Sequence, residues 1–154
     1  MVMMGADAAF VDTNLLVYAS RRTSLHHKNA IAALQQLQHE EADAWISRQV
    51  IREYLAVVTR PQHGIAAIPV AMAADDIRRF SLGFQIAEDG PATTEHLLEL
   101  ICRFPTGGRQ IHDANIVATM LAYGIRRLLT FNADDFLRFA EIIDIQPVTP
   151  ANGQ

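Results

Sequence analysis

Short apolar runs alternate along this chain with longer stretches in which apolar residues recur at three- and four-residue spacing. AAFV at residues 8–11 is a continuous run of the kind that fills a buried strand, and TNLLVYAS after it reads as a helix started by Thr13 or Asn14. A second helix is expected over residues 24–39, with Ile31, Leu34 and Leu37 on its apolar side. ADAWIS follows as a strand. It leads into a helix over residues 48–60, where Ile51, Tyr54, Leu55 and Val58 share one face and Pro61 and Gly64 stop the run.

Residues 70–82 are alanine-rich and helical in pattern, and FQIAED reads as a third strand. PATTEHLLELICRF gives another helix, capped by Thr93 or Thr94, with Leu97, Leu98, Ile101 and Cys102 facing inward. PTGGR breaks it. A further helix begins near His112, RRLLTF fits a fourth strand, ADDFLRF a short helix and IIDI a final strand. Strands alternating with helices predict an α/β fold with a mainly parallel sheet of four or five strands, covered on both faces. With 154 residues, half of them apolar, one core suffices. We expect a single domain over residues 1–148 and a flexible tail over residues 149–154.

Composition narrows the function. No apolar stretch approaches the roughly 18 to 20 residues of a membrane span, and MVMMGADAAF lacks the basic and long apolar segments of a secretory signal, so a cytoplasmic location without membrane contact is expected. Cys102 is the sole cysteine, which excludes an internal disulfide, and its LLELICRF setting suggests a buried core thiol. The six histidines show no zinc spacing. A net charge of −4 argues at first against a nucleic-acid partner.

Four acids change that reading. Asp12 follows the first strand, Glu53 and Asp113 are expected in the first turns of helices, and Asp135 lies just past the fourth strand. Strand ends and helix starts collect at one edge of an open α/β sheet, so residues about 100 positions apart can share a pocket. Crowded carboxylates repel one another unless they take up protons or a cation, and oxygen-rich sites suit Mg²⁺ or Mn²⁺. Metal-assisted phosphodiester hydrolysis is the chemistry they support. Without these four, 13 acids remain to balance 13 basic residues, of which twelve are arginine, the type best suited to phosphate. Taken singly, each acid has an ordinary role as a cap, a dipole partner or a turn residue.

VDTNLLVYA, the acid of REYLAVVTRP, HDANIVATMLAYG and LLTFNADDF stand in the order and separation of the PIN-domain family, and the chain resembles its VapC-like toxins over residues 9–148. The resemblance implies a three-layer α/β/α sandwich and a Mg²⁺- or Mn²⁺-dependent endoribonuclease. RNA would be its substrate, a cognate antitoxin protein its inhibitor, and a homodimer its assembly. It further implies that Asp12 and Asp113 hold the metal and that Glu53 and Asp135 complete the catalytic acids. Thr13, Asn14, Arg109, Thr130 and Asn132 would orient water, carboxylates or substrate. Relatives often carry an acid where Asn132 stands, so the fourth acid is assigned to Asp135 with Asp134 as the substitute, and the number of metals stays open. A haloacid-dehalogenase-like phosphatase would want an aspartate where Asn14 stands. A noncatalytic PIN-fold binding module would not need the full set of acids.

Overall fold

A computed structural model describes residues 7–61 and 65–149. Gly64 and residues 150–154 of the expected tail lie outside the described residues, whereas Thr149 accepts a hydrogen bond from Asn29 Nδ2.

Five parallel strands form the sheet: β1 (Ala8–Val11), β2 (Asp43–Ser47), β3 (Gln85–Ala87), β4 (Arg127–Thr130) and β5 (Asp144–Pro147). Their spatial order is β3-β2-β1-β4-β5. The chain therefore winds outward from β1 in one direction and restarts at β4 on β1's other side, so the carboxyl ends of β1 and β4 meet at the point where a doubly wound sheet opens a crevice. Every residue of β1 is buried, as a central parallel strand demands.

Helices α1 (Thr13–Ser20), α2 (His27–His39), α3 (Arg48–Val58) and α4 (Val70–Gly83) pack in succession, α1 on α2 and α3, and α3 on α4. Helices α5 (Pro91–Arg103) and α6 (Gln110–Ala122) pack on each other within the crossover that carries the chain from β3 back to β4. The result is the three-layer α/β/α sandwich with five strands. Fully buried Phe10, Leu15, Leu16, Ile116, Met120 and Leu128 tie β1 and β4 to α1 and α6.

Local chemistry departs from the sequence expectations in several places. Asp12, not Thr13 or Asn14, caps α1, its side chain accepting from Thr13 N. Neither Thr93 nor Thr94 caps α5, which starts from Gly90 with Pro91 at its first position, and Thr93 is buried instead. Leu98 and Cys102 are exposed rather than inward-facing, and Leu100 carries the burial. Glu53 sits in the second turn of α3, not the first. ADDFLRF is a 3-10 helix (Ala133–Phe139), and β5 begins two residues later than IIDI predicts.

α6 ends in a Schellman turn that feeds β4 directly. Gly124 has φ +68, its N–H bonds Leu121 O at 3.2 Å, and Ile125 N–H bonds Met120 O at 2.8 Å. Ile125 then packs into the core at 2% exposure. Gly124→Ala should cost about 1 kcal/mol, from left-handed backbone strain rather than from a clash. Urea unfolding with an unchanged slope would measure it, and an unaltered midpoint would refute it.

Candidate active site

Asp12 is delivered by the sheet. Its N–H bonds Leu129 O at 3.0 Å, carrying the β1–β4 pairing one step past the strand. Asp12 is 6% exposed and both its carboxylate oxygens accept hydrogen bonds: Oδ1 from Thr13 N at 2.8 Å, and Oδ2 from Thr130 Oγ1 at 2.7 Å and Asn14 Nδ2 at 3.3 Å. Asn14 Oδ1 in turn accepts from Phe131 N at 3.2 Å, and Thr130 Oγ1 accepts from Asn132 N at 2.9 Å. One carboxylate thus locks the start of α1 to the exit of β4.

Glu53 reaches the same place from α3. Its Oε2 accepts from Thr13 Oγ1 at 2.7 Å, and its Oε1 accepts from Gln49 Nε2 at 2.8 Å. Asp113 enters from the first turn of α6, where the helix dipole offsets part of its charge. Asp135 comes from the 3-10 helix. All four acids line a single cavity of about 400 Å³. Thr13, Asn14, Arg109 and Asn132 share its wall, Thr130 stands behind Asp12, and Asp134 is not part of the lining. Near the cavity Arg48 pairs with Glu88 at 2.7 Å, and Arg52 lies 3.9 Å from Asp89.

Crowding these groups has an electrostatic consequence. Burial above all, then the charges of Glu53 and Asp135, raises the Asp12 carboxyl from an ordinary 3.8 to about 6, although Thr130 and the Thr13 amide pull it down. Burial likewise raises Asp113 to about 6, reinforced by Asp12, Asp135 and Glu53 and opposed by Arg138. Such a cavity holds protons or cations to relieve itself.

Its donors fit a hard divalent ion: all are carboxylate oxygens, and Asp12 keeps lone pairs beyond those its three donors occupy. Among the described residues no group of three or more acidic, histidine or cysteine side chains is already drawn together around one ion position.

Gln49 is the residue sequence reasoning missed. Buried at 6%, it donates to both Glu53 Oε1 and His112 O at 2.8 Å, and its Oε1 accepts from Asn115 Nδ2, also at 2.8 Å. It fastens α3 to the turn of α6 that carries Asp113. A QVIRE run offers no signal for this, because the partners lie more than 60 positions away. Gln49→Leu should cost about 1 kcal/mol by removing the hydrogen bonds to Glu53, His112 O and Asn115, whose amide keeps Asp89. Thermal unfolding checks it, and a variant as stable as the parent would show those groups satisfied otherwise.

Sandwich, switch-point crevice and acid ring define a class, and a profile of the PIN domain matches residues 9–142, so the chain belongs to the PIN domain family. Ribonuclease VapC24 of Mycobacterium tuberculosis is 28% identical over 145 residues, covering 90% of this chain and 96% of that protein. Two solved structures share the fold. VapBC2 from Rickettsia felis, bound to a DNA fragment from its promoter, aligns at TM-score 0.69 and 19% identity over 92% of this chain and 99% of its own. VapC20 of Mycobacterium tuberculosis, a toxin that cleaves the sarcin-ricin loop, aligns at 0.66 and 21% over 90% and 99%.

Proposed function

We propose that this chain is a divalent-metal-dependent endoribonuclease and the toxin of a toxin–antitoxin pair. The observation that carries the reading is the convergence of Asp12, Glu53, Asp113 and Asp135 on one cavity in a PIN-domain chain that resembles a VapC ribonuclease along nearly its whole length. Asp12 and Asp113 would hold the metal, Mg²⁺ or Mn²⁺, with Glu53 and Asp135 completing the ring. When bound, the cation supplies charge neutralisation and polarises the phosphate.

The protein's own groups do the positioning. Thr130, Asn14 and the Thr13 amide aim Asp12, and Thr13 and Gln49 between them hold both oxygens of Glu53. Arg109, exposed at the rim just before α6, meets a phosphate oxygen of the substrate. Water would attack phosphorus and pass a proton to a cavity carboxylate, while the bond to one ester oxygen breaks and that oxygen takes up a proton to leave as a hydroxyl. Asn14 argues against a haloacid-dehalogenase-like phosphatase, since its amide is occupied between Asp12 and Phe131 N. The complete acid ring argues against a noncatalytic module.

The relatives' complexes support an antitoxin partner, as in a toxin–antitoxin complex from Klebsiella pneumoniae that aligns at TM-score 0.62 and 23% identity. A homodimer belongs to the same reading. Val70 and Leu82 on α4, 72% and 89% exposed, offer apolar surface for one or the other, whereas Val58 belongs to the core. Light scattering at micromolar concentration should return twice the chain mass, and a monomer would remove the dimer. The test of function is cleavage of single-stranded RNA by metal-stripped protein, with phosphatase substrates as controls. Cleavage should require added Mn²⁺ or Mg²⁺ and stop in excess EDTA. Cleavage that persists in EDTA would overturn the metal mechanism, and hydrolysis of the phosphatase substrates alone would overturn the nuclease.

A further inference from the structure

Beside the acids, the cavity wall carries one member of an aromatic cluster. Tyr18 of α1 is that member, six residues beyond Asp12. The Tyr18 ring lies tilted against His26 with centroids 4.8 Å apart, and meets Phe131 edge-on at 4.9 Å; His26 and Phe131 are themselves 5.4 Å apart. These rings come from three segments: α1, the turn before α2, and the exit of β4.

The cluster differs from the core aromatics. Phe10, Tyr54, Phe136 and Phe139 are at most 1% exposed, whereas Tyr18, His26 and Phe131 are each half-buried, with Leu25 beside them 78% exposed. It is also anchored to the acid ring. Phe131 follows Thr130, which bonds Asp12, and its own N–H bonds Asn14. Tyr18 is held in turn by its two ring neighbours and by His27 Nδ1, 3.0 Å from its carbonyl oxygen. A half-buried ring fixed in orientation within a polar cavity is a stacking surface that loses little entropy on use.

We propose that Tyr18 is the stacking platform for an unpaired nucleobase adjoining the phosphate that the carboxylates act on, with His26 and Phe131 holding its ring in place. This rests on the endoribonuclease reading of the cavity. Carboxylates, metal and Arg109 engage the backbone and read no base. A ring in the same cavity engages the face that every base presents, and a base inside a duplex cannot offer that face. The consequence is selection of single-stranded or splayed-out RNA with tolerance of sequence.

The test starts from a mixed-sequence single-stranded RNA, on which the wild-type protein with Mn²⁺ defines a cleavage position. A fluorescent oligoribonucleotide spanning that position is then bound to protein carrying Asp12→Asn, and abasic sites are moved through it one position at a time. Tyr18→Leu should weaken binding about tenfold, and Tyr18→Phe should stay within about twofold. One abasic site next to the cleaved phosphate should cost about tenfold in the Tyr18 protein and nothing further in Tyr18→Leu. Thermal unfolding checks that both variants fold. Should Tyr18→Leu be unfolded, the abasic scan on the Tyr18 protein decides alone, and uniform affinity across all positions overturns the platform. RNA cleavage with no such dependence defeats the platform and spares the nuclease; no cleavage of any RNA overturns both.

Discussion

Asparagine in place of Asp12 should abolish RNA cleavage, by about a thousandfold or more, while making the metal-free protein more stable at pH 7.5. The two effects share one cause. Asp12 is 6% exposed and its carboxyl is raised from 3.8 to about 6, so its ionised form costs the fold about 3 kcal/mol at neutral pH. A folded-state value above the unfolded one means that stability from this group is fully present below pH 3.8 and is lost as pH rises through 6. Asparagine never ionises. Its carbonyl still accepts from Thr13 N, but its amide faces the Asn14 amide as donor against donor, so about half of the 3 kcal/mol should be recovered. In EDTA, the melting temperature of the variant minus that of the wild type should therefore grow from pH 4 to pH 7.5. With Mn²⁺ the order should reverse, because only the carboxylate gains from the cation. A difference that stays flat with pH would show that Asp12 is not the strained group, and wild-type cleavage by a folded variant would remove it from the mechanism.

How far the sequence discloses this molecule depends on whether a residue's role is set by its neighbours or by distant partners. Asp12 is legible because a fully apolar strand ends at it, and Asp113 because it opens a long apolar helix. The order of strands and helices is legible for the same reason. α5 is misread because its buried stripe runs through Thr93, Leu97, Leu100 and Phe104, and a threonine at its head hides it. LLELIC is apolar on more than one face, so spacing alone places Leu98 and Cys102 inward when they are exposed. Of the three isoleucines in IIDI, Ile143 is the buried one and plugs the core from a bend before β5, while β5 is an edge strand with little burial of its own. Gln49 is legible only in its i+4 bond to Glu53. Its tie to α6 runs through His112 O and Asn115, more than 60 positions away, which no neighbour in sequence encodes.

Asp135→Asn should lower RNA cleavage about thirtyfold to a hundredfold, and Asp134→Asn should leave it within about twofold. The two are adjacent, equally acidic and both exposed, so only geometry separates them. In the 3-10 helix Ala133–Phe139 consecutive side chains point about 120° apart, so Asp134 and Asp135 take different directions. Its rotation is fixed by Phe136 and Phe139, three apart and both buried in the core, and by the bond from Asp135 N to Asn132 O at 3.0 Å. That setting puts Asp135 on the cavity wall with Asp12 and Asp113, whose carboxyls its charge helps to raise, and leaves Asp134 off the lining. Asp135→Asn should accordingly ease the repulsion within the ring, weaken Mn²⁺ binding measured by calorimetry, and shift the metal dependence of cleavage to higher concentration. Asp134→Asn should change none of these. The opposite ranking would pass the fourth position to Asp134 and require the 3-10 helix to turn about its axis when metal binds.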